Sequence, residues 1–146
     1  MRRATDRGVG WSGIAATLAA LAVIGCARSP REQAKKGFES LHSWAVSTRM
    51  VAERWVQGSV PDPYAVKALQ SFGKQVRKER KKAASGKLPA DVRRILVAQY
   101  DSTAVATDSL LMLAGRGQKR AAASIVVRLS DQARVADSLK GWLGAR

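Results

Sequence analysis

The sequence predicts an all-α protein, an up-down antiparallel bundle of about four helices between residues 30 and 146. The first reason is periodicity, because apolar residues in this segment recur at alternating spacings of three and four, which places them on one helix face. The second reason is that glycine and proline, which end helices, interrupt this pattern at three places. Short breaks between helices favour antiparallel neighbours, and no strand pattern longer than a few residues competes with the helical one.

The first predicted helix begins after Ser29, which is followed by Pro30 at the first helical position and by Glu32 three residues after the cap. This arrangement is typical of a capping box, in which the two side chains bond each other's backbone N–H groups. The helix is predicted to run to Gly58. Its buried face is expected to contain Phe38, Leu41, Ala45, Thr48, Ala52 and Trp55, widened by Trp44 and Val51.

Three further helices follow. Asp62-Pro63 begins the second helix and Gly86 ends it, whereas Pro89 and Asp91 open a third helix that Gly115-Arg116-Gly117 separates from the fourth. The predicted stripes are Ala65, Leu69, Phe72, Val76 and Ala83 in the second helix, Val92, Ile95, Leu96, Ala106, Leu110 and Leu113 in the third, and Ala122, Ile125, Leu129, Ala136, Leu139 and Leu143 in the fourth.

Some polar and aromatic residues coincide with these stripes. The polar ones have two interpretations, a hydrogen-bonded layer that fixes the helix register, which we favour, or the lining of a small-molecule pocket. The tryptophans recur at helical spacing and are expected in the core rather than on a binding surface. The residues concerned are Thr48, Gln99, Thr103 and Gln132 among the polar ones, and Trp44, Trp55 and Trp142 among the aromatic ones.

The N-terminus has the organisation of an export signal. Arg2, Arg3 and Arg7 precede an uncharged segment that runs from residue 8 to residue 27. This segment ends in Val23-Ile24-Gly25-Cys26, which resembles the lipobox of bacterial lipoproteins. The alternatives are an uncleaved membrane helix, which four glycines would weaken, and a chance cysteine in a hydrophobic leader.

The resemblance to bacterial lipoproteins implies cleavage between Gly25 and Cys26 and a diacylglyceryl group on the Cys26 thiol. Residues 1–25 would then be the signal peptide, residues 26–29 a lipidated cysteine with a short tether, and residues 30–146 the bundle domain. Two or three acyl chains give stable anchoring where one chain is marginal. Ala27 is not the aspartate that retains lipoproteins in the inner membrane in the enteric pattern, which favours the outer membrane in a cell that has two.

The chain is strongly basic, with a net charge of +15. Removing residues 1–25, which hold three arginines and one aspartate, leaves +13. In the cytoplasm this charge would favour nucleic acid as the partner. The predicted export instead favours the cell envelope, on the periplasmic or exterior side, so we expect no nucleic acid. The predicted partners are the membrane, through lipid on Cys26, and anionic lipid, wall polymer or an acidic envelope protein.

No group of residues predicts catalysis, a metal centre or a cofactor. His42 is the only histidine, and it falls beside Lys35, Arg49 and Glu53, outside the apolar stripe, so it is expected to be a solvated surface residue. The acidic residues are scattered along polar faces, without a nucleophile or a second carboxylate beside them. We therefore expect a protein that is not an enzyme and has no catalytic residue, no metal ligand and no cofactor.

The charge of the predicted bundle is most unevenly distributed on the second helix, which carries a run of basic residues. Its side chains cover one arc, on the face opposite the apolar stripe. Two interpretations are open, a solvated face that keeps the protein soluble and a contact surface for an anionic partner. The residues are Lys74, Arg77, Lys78, Lys81 and Lys82.

Three hypotheses of function follow. The first is a non-enzymatic, lipid-anchored envelope module that binds or scaffolds an anionic partner. The second is a helical periplasmic chaperone or stress-response protein, since Leu129-Ser130-Asp131-Gln132 is similar to the Leu-Thr-x-x-Gln motif of such chaperones but one residue too short. The third is a bundle that carries a small ligand. A pull-down from envelope extracts would discriminate protein, polymer and lipid partners.

Overall fold

The computed structural model describes residues 29–145, and this part of the chain is four helices without a strand. The helices are α1 (Pro30–Val56), α2 (Asp62–Ser85), α3 (Ala90–Gly115) and α4 (Lys119–Ala145). The predicted all-α, up-down four-helix bundle is therefore confirmed. The predicted signal peptide and Cys26 lie outside the described residues.

The start of α1 has the predicted capping box. The Glu32 backbone N–H donates to Ser29 Oγ at 3.2 Å, and the Ser29 N–H donates to Glu32 Oε2 at 3.3 Å. Pro30 occupies the first turn, where a missing N–H costs nothing. The helix ends at Val56, two residues before the predicted end, because Gly58 adopts a positive φ of 80° that turns the chain towards α2.

The helices pack as two antiparallel pairs, α1 along α4 and α2 along α3. Near the start of α1, Arg31 Nε donates to the Leu143 carbonyl near the end of α4 at 2.8 Å. Arg80, in the second half of α2, bonds Asp101, in the first half of α3, at 2.7 Å. Across the diagonal α1 and α3 run parallel, and the Tyr100 hydroxyl donates to a carbonyl of α1. We call the end at which Ser29 lies the proximal end and the opposite one the distal end.

Two apolar cores lie along the bundle, one near each end. The proximal core includes Ala34, Phe38, Leu41, Val76, Ala83, Leu88, Val92, Leu96, Tyr100 and Ala136. The distal core includes Ala52, Trp55, Ala65, Leu69, Ala106, Leu110, Leu113, Ala114, Ala122 and Leu129. The alternation of threes and fours thus identified the buried face of every helix, since most predicted stripe residues belong to one of these cores.

A layer of buried polar side chains separates the two cores. Thr103 Oγ1 lies 3.0 Å from the Gln99 carbonyl and 3.3 Å from Gln132 Oε1, and the Gln132 amide donates to Ser102 Oγ. Thr48 is also fully buried, but its hydroxyl has no hydrogen-bond partner within the described residues. The polar layer is therefore hydrogen-bonded on the α3–α4 side, which agrees with the interpretation that it fixes register.

Two residues predicted to be buried are exposed. Ile95 is 40% exposed, because the buried face of α3 passes through its neighbour Leu96, about 100° further around the helix. Trp142 is 47% exposed, because it lies in the last turns of α4, beyond most of the proximal core. Trp55, by contrast, is fully buried, and Trp44 is partly buried.

Candidate anionic-partner surface

The predicted basic run forms a continuous exposed face on α2, which we call the basic ridge. All five of its side chains are exposed, whereas Leu69, Val76 and Ala83 on the opposite face are buried. The members of the ridge are Lys74, Arg77, Lys78, Lys81 and Lys82. Helical periodicity therefore keeps these five charges off the core and presents them together.

Ion pairs within the bundle engage two of the five charges. Arg77 Nη1 reaches both carboxylate oxygens of Asp108 on α3, at 2.9 and 3.0 Å, and Lys82 Nζ lies 2.6 Å from Glu79. These pairs are half-exposed, so each contributes at most about 1 kcal/mol to stability. The other three lysines of the ridge have no ion pair within the described residues. They are the charges that remain for a partner: Lys74, Lys78 and Lys81.

Positive charge is concentrated at the proximal end. Each helix can be divided at its midpoint, which assigns residues 29–43, 74–102 and 133–145 to the proximal half. This half holds 14 lysines and arginines against 6 acidic residues, a surplus of eight. The distal half, residues 44–73 and 103–132, holds 7 against 4, a surplus of three. The basic ridge lies wholly in the proximal half and supplies much of the difference.

A cleft opens beside the ridge where α1, α2 and the start of α3 meet, and we call it the proximal cleft. Its volume is about 220 Å³. Lys36 on α1 and Lys82 on α2 stand at its rim, so two helices contribute positive charge to one concavity. The remaining lining residues are Gln33, Gly37, Glu79, Ala83, Gly86, Leu88, Leu96 and Tyr100.

Tyr100 forms part of the floor of this cleft and is almost fully buried. Its hydroxyl donates to the Gly37 carbonyl at 2.9 Å. Burial is the main cause that raises the pKa of Tyr100 to about 12, with a smaller contribution from the Glu79 carboxylate, while a hydrogen bond with Ser40 opposes the shift. The phenol is therefore neutral at physiological pH and its proton is already engaged.

The pKa of Tyr100 predicts a loss of stability in alkali. The unfolded chain releases a tyrosine proton near pH 10, whereas the folded protein retains it to about pH 12. The contribution is complete below pH 10 and is lost as the pH rises between these values. Phenolate absorbance of the wild type minus that of Tyr100→Phe should show a midpoint near 12. A midpoint near 10 would mean that the phenol is solvated.

The described residues hold one further titratable group of interest, the histidine of α1. Within residues 29–145 no group of three or more histidine, cysteine, aspartate or glutamate side chains is placed to hold a metal ion. His42 is half-buried at the seam of α1 and α4, where it lines a shallow groove with Val46 and Asp137. The Asp137 carboxylate is bonded by Lys140 at 2.7 Å, which lowers its pKa. Ser130 and Ser138 also line that groove, and each hydroxyl donates to a backbone carbonyl of α4, at 3.2 and 2.9 Å respectively.

The basic ridge was predictable from the sequence, whereas the proximal cleft and the charge bias between the two ends were not. Both depend on which helix ends meet, and this is known only once the topology is fixed. A signal for the cleft was present in the small residues Gly37, Ala83 and Gly86, which lie near the start of α1 and the end of α2. In an up-down bundle these two segments are neighbours.

Comparisons with models of protein families, with curated proteins and with solved structures found no match to this chain. Among the described residues, no helix is both long and apolar enough to cross a membrane. Function is accordingly inferred from the charge and geometry of the bundle itself.

Proposed function

We propose that this protein is a non-enzymatic, lipid-anchored module of the cell envelope, whose basic proximal end contacts an anionic membrane surface. One observation supports this proposal above the others. Residues 1–28 lead into the end of the bundle that carries the larger surplus of positive charge. A lipid on Cys26 would therefore hold the basic end, and not the opposite one, against the headgroups.

The distances involved favour an electrostatic contact. The three residue-to-residue steps from Cys26 to Ser29 span at most about 10 Å, which is close to the Debye length of about 8 Å at physiological ionic strength. Charges near the start of α1 would thus remain within reach of anionic lipid. Each lysine or arginine near such a surface contributes about 1 kcal/mol. Several of them together would orient the bundle on the membrane that the acyl chains hold.

Trp142 adds an interfacial side chain at the same end. It is 47% exposed near the end of α4, while Lys35 and Lys36 on the adjacent α1 are also exposed. Indole rings favour the headgroup region of membranes, where an apolar ring and a polar N–H are both accommodated. The aromatic residue that departs from the core prediction therefore has a place in the proposed contact.

The basic ridge should matter for binding and not for folding. Lys78→Glu with Lys81→Glu reverses two exposed charges that have no ion pair within the described residues, so thermal stability should change by less than about 0.5 kcal/mol. Binding of residues 29–146 to anionic vesicles should weaken by about tenfold or more, because two attractive contributions become repulsive. Co-sedimentation with vesicles measures this loss of binding, after circular dichroism has verified that the variant is helical.

The matched control is Lys67→Glu with Arg128→Glu, which reverses two exposed charges of the distal half. Its net charge equals that of the ridge variant, so the two variants differ only in where the charges lie. This variant should bind nearly as well as the wild type if orientation matters. The wild type should prefer anionic to neutral vesicles and should lose binding as salt increases. Equal loss in both variants would indicate a non-specific charge effect, and equal binding of all three would contradict lipid as the partner.

A further inference from the structure

The proximal cleft lies between α1 and α2, on the proximal side of an aromatic contact that joins the two helices. Near mid-helix the rings of Trp44 and Phe72 hold the two helices together, with centroids 5.8 Å apart. Beyond this contact the facing residues are small, and Gly37 and Ala83 supply little volume to fill the space. Gly37 also lets α3 approach α1, because a Cβ there would lie only 2.5 Å from the Leu96 side chain.

The cleft combines an apolar floor with a weakly basic rim. The floor consists of buried side chains of Ala83, Leu88, Leu96 and Tyr100. At the rim, Lys82 is paired with Glu79, whereas the exposed Lys36 has no ion pair within the described residues. One positive charge therefore remains uncompensated beside an apolar concavity.

We propose that the proximal cleft binds the end of a single acyl chain whose negatively charged group lies beside Lys36. The apolar floor accommodates methylene groups, and the lysine at the rim pairs with a carboxylate or a phosphodiester. A volume of about 220 Å³ is smaller than that of most small-molecule pockets, roughly 300 to 1,000 Å³. The cleft therefore suits part of a slender amphiphile and not a bulky ligand. This proposal requires neither the lipid anchor nor the basic ridge.

Photolabelling tests the proposal on the protein as the cell processes it. The cell fraction that contains the protein, membrane or soluble, is irradiated with a decanoate analogue bearing a diazirine near its tail, and the labelled peptides are mapped by mass spectrometry. Label is expected on peptides that contain Ala83 to Leu88 or Leu96 to Tyr100. Labelling around Trp142 provides the internal reference for general contact with lipid, because this side chain is exposed outside the cleft.

Two variants separate the apolar from the charged contribution to binding in the proximal cleft. Ala83→Leu places a larger side chain in the cleft and should reduce labelling there by about tenfold or more, since closely packed space tolerates little added volume. Lys36→Met retains the cleft and removes its uncompensated charge, which should reduce labelling by about two- to fivefold, the range expected for an exposed ion pair. Lys67→Met, an exposed lysine in the distal half, should leave labelling unchanged.

Competition identifies the source of the acyl chain. Excess decanoate that removes the cleft label indicates a free carboxylate, and lysophosphatidylglycerol that does so indicates a phosphodiester lipid, so either result supports the proposal. Label spread evenly over exposed apolar residues, or unchanged in both Ala83→Leu and Lys36→Met, would overturn it. Because Ala83 is buried, its variant is compared with the wild type by circular dichroism, and Lys36→Met, at an exposed position, decides the matter if Ala83→Leu fails to fold.

Discussion

Replacing Cys26 with serine is expected to abolish the proposed processing and membrane anchoring of this protein. The lipobox-like Val23-Ile24-Gly25-Cys26 implies that the thiol carries the acyl chains, and a serine hydroxyl would not be modified in its place. Each buried methylene contributes about 0.8 kcal/mol, so losing two or three chains removes nearly all of the anchoring energy. Intact-mass measurement and membrane fractionation of the native protein and the variant would report the change.

Ala27→Ser provides the control, because it alters the neighbouring residue and leaves the cysteine in place. This variant should be cleaved, lipidated and membrane-bound like the wild type. Native protein that still carries residues 1–25 would contradict the lipoprotein assignment, as would unchanged processing and membrane association in Cys26→Ser. Either result would leave the charge bias of the bundle without an anchor to orient it.

The fold was predictable because each helix carries its own local signals. The Ser29–Glu32 capping box marks the start of α1, and an apolar stripe marks the buried face of each helix. These signals act within one or two helical turns and need no knowledge of neighbouring helices. The basic ridge was predictable for the same reason, because its five charges share one face of a single helix.

The properties that were not predicted depend on long-range packing. The pair between Arg77 and Asp108 links residues 31 positions apart, and periodicity in α2 says nothing about which face of α3 will meet it. The proximal cleft likewise needs three segments from different parts of the chain. Ile95 shows that periodicity is also limited within one helix. It lies at the edge of the apolar stripe, and the neighbouring helices decide whether such an edge residue is buried.

The polar layer shows how local and long-range signals combine. Its residues were visible in the sequence as polar interruptions of apolar stripes, but their pairing was not. In the structure Gln132 of α4 meets Ser102 and Thr103 of α3 midway along the bundle, between the two cores. A slip of α4 by one turn would bury this amide against apolar side chains, so the layer favours one register and thereby fixes which charges meet at the proximal end.

Truncating Leu110 to alanine is expected to cost about 2 to 5 kcal/mol of unfolding free energy. Leu110 is fully buried in the distal core, in the same cluster as Trp55 and Leu69, so the change removes buried methyl groups and leaves a cavity among large side chains. Alanine is the best helix former, so the loss cannot be ascribed to α3 itself. It is a large fraction of the roughly 5 to 15 kcal/mol that stabilises a typical domain.

Val105→Ala is the matched control, because Val105 lies on the same helix but is 61% exposed. Its truncation should change stability by less than about 0.5 kcal/mol, since few packing contacts are lost. Urea unfolding of residues 29–146, followed by helical circular dichroism, would give both values, and unchanged slopes with denaturant would show that the comparison is valid. Similar losses of unfolding free energy in the two variants would contradict the assignment of Leu110 to the core. They would also contradict the orientation of α3 that brings Asp101 and Asp108 to the arginines of α2.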